Sequence, residues 1–202
     1  MQKPNGYDEA KAGGEYIPVE LGGHYCTIKQ VSEKQSSTGK DMVVVLFDFC
    51  QPDKQVGYFA DAFANDTREE KKWPFAGSKY IMVNDYNDPK KTSKDFKSFC
   101  TCVEESNNYS IKWGIDTWAQ QFKGKKIGVV YGEEEAEYEG EIRVRPAVRW
   151  FCNIKDVAKA AIPKIKKPRN RPATIAPAKP ADDALPGFMN IPDDVTDEEI
   201  PF

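Results

Sequence analysis

The sequence predicts a mainly β domain with one or two helices, a five-stranded barrel followed by a disordered C-terminal tail. Three observations carry this. Runs rich in β-branched and aromatic residues, bounded by turn residues, come as three before and two after a helical interval. A 3.6-residue apolar period is confined to that interval. From residue 164 the chain turns Pro-rich and loses any apolar run able to repay the entropy of folding.

Residues 1–20, with Gly13-Gly14, read as a loosely ordered arm in which only Tyr16, Ile17 and Val19 have anything to dock. Strand character runs from His24 to Glu33. Ser36-Ser37-Thr38-Gly39 supplies turn chemistry, and Met42 to Cys50 is an apolar β-branched and aromatic run, so the pair is a hairpin. A third strand is expected at Val56 to Phe63, after a turn on Gln51-Pro52-Asp53. Ser93 can cap a helix whose Phe96, Phe99, Cys100 and Val103 form one stripe. Asp116 to Phe122, closed by Gly124, reads as a second short helix, with Trp113, Trp118 and Phe122 in the core.

Lys125 to Tyr131 and Glu141 to Cys152 are expected to form a second hairpin around an acidic loop, Glu133-Glu134-Glu135. In its second strand Ile142, Val144, Val148 and Trp150 alternate with Arg143, Arg145 and Arg149, which predicts a core face and a cationic face. Pro146 cannot donate to a ladder and belongs at an edge or bulge. Three strands, a helical interval and two strands is the order of the oligonucleotide-binding (OB) barrel.

The division that follows is an arm at 1–20, a barrel domain at 21–163, a linker at 164–196 and a tip at 197–202. The tail is charge-segregated: residues 164–181 carry Lys164, Lys166, Lys167, Arg169, Arg171 and Lys179 without an acid, whereas 182–202 carry seven acids and no base. Setting these aside leaves 23 basic and 25 acidic residues in the rest of the chain, so any attraction for nucleic acid must be local. No run of eighteen apolar residues and no charged-then-apolar leader occurs, and five cysteines without a framework spacing suit a reducing cytoplasm.

The chain ends Asp197-Glu198-Glu199-Ile200-Pro201-Phe202, and its last residue carries a ring and the α-carboxylate together. A partner needs only an apolar pocket with a cation at its lip. This tip resembles that of the single-stranded DNA-binding proteins of bacteria and their phages, in which an OB barrel is followed by a flexible linker and an acidic end. The domain is similar to a phage-encoded group of that family over about residues 14–155, through the Ser36 to Lys40 turn (Ser-x-x-Gly-Lys) before an apolar strand and the Gly124-Lys125-Lys126 start of a late strand. The resemblance implies binding of single-stranded DNA with little sequence preference, recruitment of replication and repair proteins by Asp197 to Phe202, no cofactor, and residence in the cytoplasm, that of the bacterial host if phage-encoded. The resemblance is compatible with a homo-oligomer.

The connection from Asn65 to Pro89 is longer than an ordinary loop needs, and its rings and cations, Lys71, Lys72, Trp73, Phe75 and Lys79, beside Tyr80, are candidate DNA contacts. Rings stack on unpaired bases and cations hold phosphates; the alternative is that Trp73 and Phe75 plug the barrel end. Arg143, Arg145 and Arg149 are candidates on the last strand and Lys29 on the first, sharing a face with Tyr25 and Thr27. Tyr58, Phe59 and Phe63 cannot all face inward on one strand, so either Tyr58 or the Phe59 and Phe63 pair meets solvent or ligand.

Catalytic and metal readings find little support. His24-x-Cys26 and Cys100-x-Cys102 offer zinc-binding residue types, but the latter two lie on a helix and lean apart. No phosphate loop or nucleophile elbow is present, and Glu133 to Glu135 with Glu137 splay around a loop. An enzyme is therefore not expected, a nuclease or recombinase being the third reading. The alternative to DNA binding is a phage accessory protein whose barrel binds protein and whose tail is an adaptor or decoy for host replication factors.

Overall fold

The structure, a computed structural model, describes Lys3, residues 17–138 and residues 141–167. Five antiparallel strands form one sheet in the order β3-β2-β1-β4-β5. β1 (Gly22–Gln35) and β2 (Asp41–Phe49) are the expected first hairpin. Its turn is closed by the Lys40 N–H donating to Ser36 Oγ at 3.0 Å, with Gly39 at φ 72°, where a side chain would be strained. Along β1, Cys26 and Ile28 enter the core; a bulge at Lys29 then shifts the phase, so the next core residue is Val31. Val43, Val45, Phe47 and Phe49 alternate inward on β2.

The expected third strand at Val56 to Phe63 is instead helix α1 (Tyr58–Ala64). Its rings suggested a strand, but Phe59 and Phe63 are also one helical turn apart and Ala60, Ala62 and Ala64 favour helix. Gly57 at φ 78° turns the chain, and the buried Asp48 carboxylate accepts the Phe59 N–H at 3.0 Å, capping α1 from a neighbouring strand. The third strand is the shorter β3 (Ser78–Met82), inside the stretch expected to be a long connection.

Helix α2 (Lys94–Asn107) forms as expected: Ser93 Oγ accepts the Phe96 N–H, and Phe96, Phe99, Cys100 and Val103 are buried. It packs against β4 (Lys126–Tyr138) and β5 (Glu141–Cys152), with Phe99 5.3 Å from both the Phe122 and Phe151 rings. Each such buried ring contributes about 1.5–3 kcal/mol relative to an exposed one. The second predicted helix is a 3₁₀ turn, Trp118–Phe122, which buries both end residues; Trp113, expected in the core, lies exposed against Phe96 and Trp118.

The acidic triplet Glu133 to Glu135 is not a loop but part of β4, which continues to Tyr138 opposite Glu141. Beyond Tyr131 this hairpin has left the rest of the sheet, because the pairing of β1 with β4 ends at Gly22 and Tyr131. By register Ile142, Val144, Pro146 and Val148 share the face of Tyr131, which is the core face. Ile142 and Val144 are nevertheless 65% and 53% exposed, since the strand overshoots the barrel and has no interior left to enter. Arg149 is the extra residue of a bulge, so Phe151 rather than Trp150 reaches the core. Pro146 lies on this edge strand, as its missing donor requires.

This is an OB-like arrangement with the sheet open between β3 and β5. Side chains span the opening. Lys79 Nζ donates to the carbonyls of Val148 at 3.4 Å and Arg149 at 3.2 Å, and the Tyr131 hydroxyl donates to the Ala76 carbonyl.

Both chain ends dock where they are described. Tyr58 OH donates to the Ile17 carbonyl at 2.7 Å and Val19 is buried. At the other end, Lys166 pairs through its backbone with Glu133 and Glu135 along the flank of β4 that β1 has vacated, so the stretch read as linker from 164 begins hydrogen-bonded to the sheet.

Candidate nucleic-acid interface

Cross-strand partners share a face, so register fixes what the outside of the β2 and β3 pair presents. Opposite the core-facing set, Met42, Val44 and Leu46 on β2 stand beside Met82, Tyr80 and Ser78 on β3. The middle of this face is apolar but buried, with Met42, Val44 and Ser78 each under 10% exposed, so what the face offers to solvent is its aromatic rim. Tyr80 is 36% exposed and stacks on Phe75, itself 45% exposed, with centroids 6.3 Å apart and planes 26° from parallel. The Arg145 guanidinium reaches across the opening between β3 and β5 to lie 5.3 Å from the Phe75 ring centre. Two rings and a delocalised cation thus meet on the outside of the domain, at the opening between β3 and β5.

Beside them is an open cleft of about 480 Å³ whose walls include Arg68, Lys72, Pro74, Phe75, Arg145 and Pro146. The loop forming one wall is organised by Asp66. Its carboxylate accepts from Arg68 Nε at 2.9 Å and the Arg68 and Lys72 backbone N–H groups, and the Arg68 hydrogen bonds hold that carboxyl well below the usual range.

The other candidates divide between exposed and structural roles. Phe59 is fully buried, against Phe47 and Phe49. Tyr58 packs on the core edge and Phe63 lies 5.6 Å from Trp73, whose indole N–H donates to the Gly77 carbonyl at 2.9 Å. These four rings build the barrel end; Phe75 does not. Lys71 donates to the Ala64 carbonyl at the end of α1, and Lys29 lies 3.5 Å from the buried Asp48 carboxylate that caps it. Lys79 faces inward on β3, since it pairs with Val45; burial lowers its pKa, opposed by Asp95.

The arginines do not form one row. Arg143 and Arg145 share the outer face of β5, but the bulge displaces Arg149, whose guanidinium donates to the carbonyls of Glu133 and Lys164. Arg145 Nε and Nη2 both donate to Glu134 Oε1, and Arg143 contacts Glu141. The opposite face of this arm sets Ile142 and Val144 among Glu133, Glu135 and Glu137, an apolar and acidic surface.

His24 is buried, stacked on Phe49 at 4.3 Å, with Nδ1 on Asp53 and Nε2 on the Glu20 carbonyl, while Cys26 is enclosed in the core. Burial pushes the Cys100 and Cys102 thiols up to about 12, and Cys152 to about 11. Among the described residues no three His, Cys, Asp or Glu side chains converge as metal ligands, and no helix is long and apolar enough to cross a membrane.

The tip residues Asp197, Glu198, Glu199, Ile200, Pro201 and Phe202 lie outside the described residues, as do Arg169, Arg171 and Lys179. Sequence reasoning placed Phe75 in the interface set but gave Tyr80 no role of its own and passed over Arg68. The short apolar run Tyr80-Ile81-Met82 was the available signal for a strand, but not for which way its ring points. Neither a comparison with protein-family models nor one with curated protein sequences returns a match.

Proposed function

We propose that this protein binds single-stranded DNA with little sequence preference at the exposed aromatic rim of the β2 and β3 face, and recruits replication and repair proteins through its acidic C-terminal tip. The observation that carries this is the exposed Phe75 and Tyr80 stack with Arg145 beside it. Stacked rings receive unpaired bases of any identity, and a guanidinium holds a phosphate or lies flat on a base. The OB-like arrangement favours the same place, because such domains take oligonucleotides across strands two and three and the adjoining loops. Binding rather than catalysis is the activity inferred, and the compartment is the cytoplasm, that of a bacterial host if phage-encoded.

A second reading, a protein-binding barrel with an adaptor or decoy tail, draws support from the arm face bearing Ile142 and Val144 among glutamates, which suits protein better than DNA. Mobility shift with equal-length single and double strands separates the two. Selective retardation of the single strand, weakening with salt but keeping a stacking component, is expected. No shift of oligothymidine in dilute buffer would sink the DNA reading and leave the protein one. Deleting residues 182–202 is expected to abolish partner capture without weakening DNA binding; capture by the truncated chain would remove the tip from the proposal.

A further inference from the structure

A second cation and ring pair stands at the other end of the same face. Lys40 Nζ lies 4.1 Å from the centre of the Tyr86 ring, and Tyr86 is 81% exposed, more than any other large apolar side chain among the described residues. Its loop is built to hold that position. Asp85 Oδ1 accepts the Asn87 N–H at 2.9 Å, the Asp85 N–H donates to the Lys91 carbonyl at 2.8 Å, and Asn84 pairs with Thr92 in an isolated bridge. Between this loop and the β1–β2 turn lies a cleft of about 180 Å³ lined by Lys40, Asn84, Asp85 and Met82. Met82 is an outward residue of β3, two along from Tyr80, so Tyr86 stands where the β2 and β3 face continues past the end of the strand.

We propose that Tyr86, flanked by Lys40, is a second base-stacking platform, so that a single strand runs along β3 from the Arg145, Phe75 and Tyr80 cluster to Tyr86. This rests on the function proposed above. At about 3.3 Å per residue, Tyr80 to Met82 spans ~7 Å, and Tyr86 lies four residues further on, past the end of the strand. Both platforms are therefore filled together only by an oligonucleotide of several nucleotides. A short one sits at the cluster, where two rings and a guanidinium are already assembled.

The test measures the affinity of the full chain, by fluorescence anisotropy, for oligothymidines of about 4 and about 16 nucleotides, the range that one such domain covers. Tyr86→Ala is expected to weaken the long oligomer about tenfold, the worth of one stacked base, and to leave the short one unchanged. Tyr86→Phe keeps the ring and is expected to bind both like the parent, while Tyr80→Ala weakens both. Parent-like binding of the long oligomer by Tyr86→Ala, or equal weakening at both lengths, overturns the second platform while the proposed function stands. A parent that binds neither oligomer overturns both.

Discussion

Each ring near the proposed interface has either a packing role or an exposed one, and its surroundings decide which. Phe59 is enclosed by Phe47, Phe49 and Tyr58, so Phe59→Ala is expected to cost about 3–5 kcal/mol in urea unfolding, through lost transfer energy and a cavity. The protein that remains folded should bind oligothymidine as before. Phe75→Ala and Tyr80→Ala should do the reverse, keeping the urea midpoint near the parent's while each loses ~1–3 kcal/mol of affinity. A large stability loss with unchanged affinity in either would assign that ring to the fold. Local sequence does not separate these cases, because Tyr58, Phe59, Phe63 and Phe75 are all aromatics without a period that fixes which side is inward. Their burial depends on which strands and turns come to lie over them.

The β4 and β5 arm is the element that most departs from expectation. Its alternation was legible, and Ile142 and Val144 do hold the core phase; what sequence lacks is how far the barrel extends beneath them. The segment after Pro163 shows the same dependence on neighbours. It reads as linker by composition, yet Lys166 finds unpaired backbone groups on β4. Gly132 makes room for this: a Cβ there would stand 2.3 Å from Pro163 Cγ and 3.1 Å from Arg149 Cγ. Gly132→Val is therefore expected to displace Pro163 and release the paired segment, seen as faster trypsin cleavage after Lys164 and Lys166. Cleavage rates equal to the parent's would mean that this backbone pairing gives no protection. The third strand was misplaced for a related reason. Aromatic content favoured Val56 to Phe63, whereas the available partner, the outer edge of β2, is taken by Ser78 to Met82.

For the molecule as a whole, the buried and half-buried thiols set its response to alkali. Cys100 and Cys102 ionise near 12 and Cys152 near 11 in the folded chain, from an ordinary value of 9.0, with burial the main cause; Cys26 and Tyr131 are also pushed up by burial. Above about pH 9 the unfolded chain therefore releases protons that the folded chain keeps, so stability is present below that pH and falls as pH rises. Lys79, lowered by desolvation, works in the opposite sense, but it is one group against five. The urea midpoint is expected to be lower at pH 10 than at pH 8, and an unchanged midpoint would contradict the burial of these groups. By itself the sequence determined the β-rich class, the first hairpin, the capped helix α2 and the charge-divided tail, since these depend on periodicity, turn residues and composition within a short stretch. Only tertiary structure decided which short run completes the sheet, where β4 and β5 leave it, and that Phe75, Tyr80 and Arg145 meet across the gap between β3 and β5. Those contacts join residues from separate parts of the chain, and their geometry comes from strand register and twist, which no local pattern encodes.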